Sequence, residues 1–474
     1  MRSPTTLFCL FAALPLFAAD GEHFSTALER SVLPRVIVAN EKPAAVSLRQ
    51  RMAELEVPGV SIAVVVDGRL VWARAYGYAD REWMIPATTE TLFQAASISK
   101  PVTAFATLRL VADGKLDLDR NVNDALKSWQ LPDNPFTVAE KVTLRRILNH
   151  TAGLTVWGFP GYVRSEARPS TLGVLTGNGS NTPPVQVFQE PGKDWLYSGG
   201  GYTLLQLVLS DTRGEPFASL MHTLALEPLG MTHSTFEQPL PLPLRERAAS
   251  GYDGKGRKIA GDWHIYPEQA AAGLWTTPSD LARYLITVQK LRAGESRVLP
   301  APLVRDMLTP GKHNHALGFS ISGDRRQFEH GGSNEGFRAA MFGFLDGRGG
   351  LVIMTNGDNG FALCAELIGT LGKLLGWPDV GPIERHAATL PASALDAFAG
   401  RYRFVQPDGS TSDVDVARSN NTLTVTENGA LSGTLRPESA TRFFDTVTGQ
   451  TIDFVVETTG ARMVYPDGMT ATRQ

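Results

Sequence analysis

The chain of 474 residues has a formal net charge of −3, with 45 Lys and Arg against 48 Asp and Glu. No stripe of basic residues runs along it, which excludes the electrostatic footprint of a nucleic-acid binder. Hydrophobic residues make up 43% and charged residues 20%, the balance of a folded globular protein. The length is too great for one ordinary core, so two domains, or one large domain with an appendage, are expected.

The first element is the apolar run from Leu7 to Ala19, which follows Arg2 and ends in small residues before Asp20. It is too short to span a bilayer and is broken by Pro15, so it reads as the core of a signal peptide over residues 1–19. Cleavage near Ala18 or Ala19 predicts an exported protein, periplasmic or secreted, with no membrane anchor after signal removal. The only cysteines are Cys9, inside this run, and Cys364. The mature chain then holds one thiol and no internal disulfide, and Cys364 reads as a buried helix residue.

From Val57 two β-rich runs flank Asp67-Gly68, the dipeptide of a tight hairpin. Val102, Phe105, Leu108 and Val111 then recur at helical spacing, with Gly114 as a stop signal. Further helices are expected over 144–149, 202–211, 216–226 and 278–291, with Thr143 and Thr277 as caps of the first and last. Long stretches rich in Gly, Pro, Ser and Asn, 156–184 and 238–265, read as functional walls or lids. Strands are expected over 315–321, 337–345 and 350–356, with Asp346-Gly347 turning between the last two. Strands at both ends and helices between them imply one α+β domain, residues 20–385, whose sheet joins the chain's extremes. After Trp377 a Pro-containing connector leads to seven short β-like runs over 390–474, separated by turn signals such as Asn428-Gly429 and Asp467-Gly468. Their even spacing reads as a small antiparallel barrel or sandwich.

The chemistry centres on Ser97-Ile98-Ser99-Lys100, the sole Ser-x-x-Lys of the chain. At a helix start the i, i+3 spacing puts both side chains on one face, and Pro101 is tolerated in a first turn. A serine hydroxyl becomes a nucleophile when a neighbouring base takes its proton, and a lysine whose pKa is lowered by burial is such a base. The helix N-terminus disfavours a positive charge and offers N–H groups to an oxyanion.

With two later motifs in order, Tyr197-Ser198-Gly199 and His330-Gly331-Gly332, the sequence resembles the serine β-lactamase and penicillin-binding-protein superfamily, in its class C β-lactamase-like branch. Supporting segments are LNHTAGL at 148–154, EPLGMTHSTF at 227–236 and GLWTTPSDLARYL at 273–285. The resemblance implies an antiparallel sheet flanked by helices, with a lipocalin-like C-terminal β-barrel. It also implies a serine hydrolase with no cofactor or metal, acting on a small-molecule ester, amide or peptide through a Ser97 acyl-enzyme. Lys100 and Tyr197 would manage protons, and the N–H groups of Ser97 and Ser333 would form the oxyanion hole. His330, Gly331, Gly332 and Gly199 would meet the substrate, with His330 at the rim, bonded to substrate or to Tyr197, or else open to solvent. Asn149-His150-Thr151 reads as a structural turn beside the site, and His313-Asn314-His315 as a loop rather than a metal pair.

Two departures from the family pattern matter. Gly199 stands where the family has Asn, so no carboxamide holds an acylamide side chain. His330 stands where the family has Lys, which weakens the grip on a substrate carboxylate. These losses favour a carboxylesterase, with a D-amino-acid or peptidoglycan peptidase or weak β-lactamase as alternatives. A non-hydrolytic penicillin-binding sensor is the reading from another class.

Overall fold

The computed structural model describes residues 17–474 apart from 45, 323, 325, 378–379, 406–410, 428–429, 458–459 and 467–468. Most of the expected signal segment and the turns at Asn428-Gly429 and Asp467-Gly468 lie outside the described residues. The chain divides into two compact units, one formed by Met1–Thr26 with Arg49–Cys364, the other by Ala27–Leu48 with Ala365–Gln474.

The first unit is built on a seven-stranded antiparallel sheet. Its strands are β1 (Gly59–Val66), β2 (Arg69–Asp80), β3 (Ile85–Pro86), β4 (Ser320–Ser322), β5 (Gln327–Asn334), β6 (Phe337–Phe344) and β7 (Gly349–Thr355), in the order β3-β2-β1-β7-β6-β5-β4. The β1–β2 hairpin turns at Asp67 (φ +47) and Gly68 (φ +69), the left-handed pair a two-residue hairpin requires. β1 and β7 pair at the sheet's centre, Val60 opposite Thr355, joining the two ends of the unit. Both are buried along almost their whole length, so they read as unbroken apolar runs instead of alternating ones.

Helix α1 (Ser99–Ala112) follows a 3-10 turn at Ala96–Ile98 and is buried on nearly every face. Helix α2 (Gly199–Arg213) and helix α3 (Pro278–Ala293) complete the frame, with α3 lying on β1, β2 and β7. Thr143 and Thr277 cap their helices as expected, accepting from the amides of Arg146 and Asp280.

Three elements differ from expectation. The strand expected over 315–321 is a fold-back in which His315 bridges Ser320, because Gly318 (φ +91) turns the chain and only Ser320–Ser322 joins the sheet. α2 begins three residues early, at Gly199. The helix over 216–226 is α-helical at Phe217–Met221 and continues as a π-helical turn at His222–Leu226. Cys364 is buried in the helix Gly360–Leu374, as expected. Among the described residues no helix is long and apolar enough to cross a membrane.

The second unit holds a closed eight-stranded barrel, which opens with Gly400–Val405 and is sealed by Thr470–Arg473 pairing back on it. Its own core gathers Phe398, Tyr402, Leu423, Phe443, Phe454 and Met463. Outward positions carry cross-strand ion pairs, Arg401–Asp415 and Arg403–Asp413. The eighth strand, Thr-Ala-Thr-Arg, is short and polar, which hid it from pattern reading. The same unit contains a parallel pairing of Val36–Val38 with Ile383–Arg385.

Candidate active site

Ser97 lies in the 3-10 turn and Lys100 in the first turn of α1, so their expected shared face is realised. The residue before Ser97, Ala96, has φ +50, a conformation that costs on the order of 1 kcal/mol and persists only where its surroundings enforce it. Those surroundings are specific. Phe93–Gln94 pairs with Trp275–Thr276, and the Ala95 amide donates to Leu274 O at 2.9 Å. Ser99 Oγ donates to Ala96 O at 2.6 Å and accepts from the Leu274 amide at 3.0 Å.

Lys100 Nζ lies 3.0 Å from Ser97 Oγ and donates to Ala271 O at 2.9 Å. It also sits 4.8 Å from the centre of the Tyr197 ring and 5.7 Å from that of Tyr202. The side chain is 2% exposed, and burial lowers its pKa to about 7, because the ammonium loses its hydration without gaining a carboxylate. Burial acts oppositely on Tyr197, raising its phenol well above the ordinary value, and a hydrogen bond from Ser97 offsets this only in part.

Tyr197 is held through the next residue. Ser198 caps α2, accepting from the Gly201 amide at 2.9 Å and donating to Thr155 O at 2.9 Å. The Ser198 amide donates to His150 Nδ1 at 3.1 Å, which leaves the proton of a neutral imidazole on Nε2. His150 is buried, and its ring centre lies 4.3 Å from that of Tyr197 and 4.8 Å from that of His315. His150, His315 and His330 all have pKa values lowered chiefly by burial, His315 to about 4 and His330 to about 3. Three neutral imidazoles thus surround the lysine and phenol without charging the pocket.

His330 is buried, not open to solvent. Its Nδ1 lies 2.6 Å from Gly331 O and its ring centre 6.3 Å from that of Tyr197. Gly331 is exposed on β5, whereas Gly332 is pressed against the nucleophile turn, where a Cβ would stand 2.2 Å from Ala95 O. That approach brings Ser333, the next residue, to the turn carrying Ser97. Asn334 then pins the strand end, donating from Nδ2 to Gln94 Oε1 at 2.7 Å and to Ala272 O at 3.1 Å.

At Gly199 a side chain would crowd its neighbours, since a Cβ would lie 2.7 Å from the Phe159 ring and 3.1 Å from Trp157 O. The first amides of α2 are already satisfied, Gly199 by Trp157 O at 3.2 Å and Gly200 by Val156 O at 2.9 Å. Val156 adopts φ +66 to present that carbonyl, a genuine outlier for a β-branched residue. Trp157 and Phe188 are large exposed apolar side chains with ring centres 6.4 Å apart.

Sequence reading brought together Ser97, Lys100, Tyr197, His330 and the glycines, and the fold does the same. His313 and His315 part company, one exposed beside Asp194 and the other buried against His150. Phe159, Gln94 and Asn334 escaped it and His315 was read only as part of a loop, because each meets the site through contacts that cross many residues. Glu268 escaped too. It is fully buried, with no hydrogen-bond partner for either carboxylate oxygen among the described residues, and the only hint was a carboxylate opening the apolar run EQAAAGLW.

Penicillin-binding protein 4* of Bacillus subtilis (strain 168) is 23% identical over 431 residues, covering 85% of this chain and 91% of that protein. Esterase EstB of Burkholderia gladioli is 33% identical over 223 residues, covering 44% of this chain but only 54% of EstB. The chain therefore spans about half the length of EstB. An octameric penicillin-binding protein homologue from Pyrococcus abyssi shares the fold with a TM-score of 0.59 at 21% identity, over 90% of this chain and 98% of that one. Residues 47–368 match the profile of the family described as Beta-lactamase, and the chain belongs to that family of serine hydrolases.

Proposed function

We propose that the protein is a carboxylesterase for esters of apolar acyl groups, working through a Ser97 acyl-enzyme. The observation that carries this is a lysine with its pKa near neutrality, 3.0 Å from Ser97 Oγ, beside a protonated tyrosine. Neutral Lys100 accepts the hydroxyl proton as Ser97 Oγ attacks the ester carbonyl carbon. The developing oxyanion is met by the N–H groups of Ser97 and Ser333. Tyr197, held protonated by burial, passes a proton to the leaving alkoxide, and the proton on Lys100 replaces it. Water then attacks the acyl-enzyme by the same steps in reverse.

Two features support an ester over a β-lactam or peptide. Phe159 fills the space beside Gly199 where a carboxamide would bind an acylamide, and Trp157 and Phe188 stand near the start of α2. A neutral, buried His330 offers no positive charge for a substrate carboxylate. EstB is itself named an esterase.

The test is turnover of p-nitrophenyl butyrate by the purified protein, with mass spectrometry of the acylated Ser97 peptide. Ser97→Ala is expected to lower kcat by about four orders of magnitude or more. Full activity in that variant sinks the reading, and a stoichiometric burst without turnover replaces it with the sensor. The apolar run from Leu7 to Ala19 supports export, checked by N-terminal sequencing of protein recovered outside the cytoplasm, which should begin near Asp20.

A further inference from the structure

The two long loops over 156–184 and 238–265 enclose between them a cleft of about 540 Å³. Its lining contains three guanidinium groups, Arg164, Arg168 and Arg245, and no carboxylate. Arg164 is already neutralised by Asp262 at 2.8 Å and lies over the Trp263 ring at 4.5 Å from its centre. The other two are not. Arg245 donates from Nε to Leu240 O at 2.8 Å and Arg168 to Arg164 O at 3.4 Å, and among the described residues neither meets a carboxylate. Arg245 is half-buried and Arg168 is exposed.

The remainder of the wall is apolar, including Leu240, Ile265 and the buried Trp263. Two uncompensated positive charges above an apolar and aromatic wall complement an anion carried on an apolar body. The volume suits a small molecule.

The cleft also communicates with the catalytic strand. Two of its lining residues, Val163 and Ile265, belong to the pairing of Tyr162–Val163 with His264–Ile265. Gln94 Nε2 donates to His264 O at 2.8 Å, and the same side chain accepts from Asn334 at the end of β5. Trp263 packs edge-on against Trp275, 5.3 Å between ring centres, and Trp275 is the strand partner of Gln94.

We infer that this cleft is a binding site for an amphipathic anion, an aryl or alkyl carboxylate, sulfonate or phosphate. The ligand is either the distal end of a substrate or a separate effector of the same chemistry. The test is calorimetric titration of the Ser97→Ala full chain with 1-naphthalenesulfonate and with neutral 1-naphthol, so that the outcome does not depend on the catalytic reading. The sulfonate should bind saturably, weaken as salt is raised, and bind about tenfold tighter than naphthol. The double variant Arg168→Gln, Arg245→Gln should lose about tenfold in affinity, and Arg168→Lys, Arg245→Lys should restore most of it. Equal affinity for naphthol, binding indifferent to salt, or no saturation at millimolar sulfonate overturns the assignment, whatever the variants do. Inhibition of the active enzyme that is competitive with a long-chain ester identifies the substrate's distal end, and non-competitive inhibition identifies an effector.

Discussion

Two buried groups in the catalytic unit titrate near neutrality for the same reason and with opposite consequences. Lys100 ionises at about 7 because burial penalises its cation. In the proposed mechanism the neutral amine is the base, so kcat/KM should rise with pH, level off above about 7, and fall tenfold per unit below it. A pH–rate profile on a neutral ester checks this. In stability, an unfolded lysine holds its proton up to its ordinary 10.5, so folding expels a proton between about 7 and 10.5 and the fold gains with rising pH there. Glu268 is the reverse case, its pKa raised from 4.5 to about 7 by burial. Its protonated form suits the fold, so that contribution is whole below about pH 4.5 and is lost as pH rises to about 7. Glu268→Gln should remove this slope and raise stability at pH 8 by on the order of 3 kcal/mol, read from denaturant midpoints at pH 5 and pH 8. His150 acts on Tyr197 through the Ser198 amide. Replacing it with Ala should lower kcat about tenfold, with KM little changed.

At the scale of elements, β5 and the nucleophile turn work as one piece because two neighbouring glycines play unequal parts. A methyl group at Gly331 meets nothing closer than 3.7 Å, whereas one at Gly332 meets Ala95 O at 2.2 Å. Gly331→Ala should therefore be nearly silent. Gly332→Ala should cost on the order of 2 kcal/mol and depress kcat more than KM by prising Ser333 from Ser97; melting curves and steady-state kinetics separate the two variants. Local chemistry made most elements legible in sequence: the caps at Thr143 and Thr277, the Asp67-Gly68 turn, and the helical spacing from Val102 to Val111. The motifs likewise named Ser97, Lys100 and Tyr197. What stayed hidden depends on tertiary contact. Three consecutive glycines are poor helix formers, yet α2 starts on them because Val156 O, Trp157 O and Ser198 Oγ take up its first three amides, and a Cβ would crowd the Phe159 ring at Gly199 and Thr155 O at Gly200. The apolar residues of 315–321 looked like a strand until Gly318 turned them back.

Over the whole molecule, the barrel and the catalytic unit keep separate cores that share no member. Phe454→Ala should destabilise the barrel by about 3–5 kcal/mol and leave ester hydrolysis by the folded protein unchanged, seen as a lowered melting transition at constant kcat. The pairing of β1 with β7 bears on how the enzyme comes into being. The strand that places Ser333 leaves the ribosome after all of α1, α2 and α3, and the sheet closes only when Val60 finds Thr355. Such distant pairing makes folding slow. A nascent chain that already contains Ser97, Lys100 and Tyr197 should thus be catalytically silent, and recovery of activity after dilution from denaturant should trail the return of helical signal, making hydrolysis itself the clock for the last step of assembly.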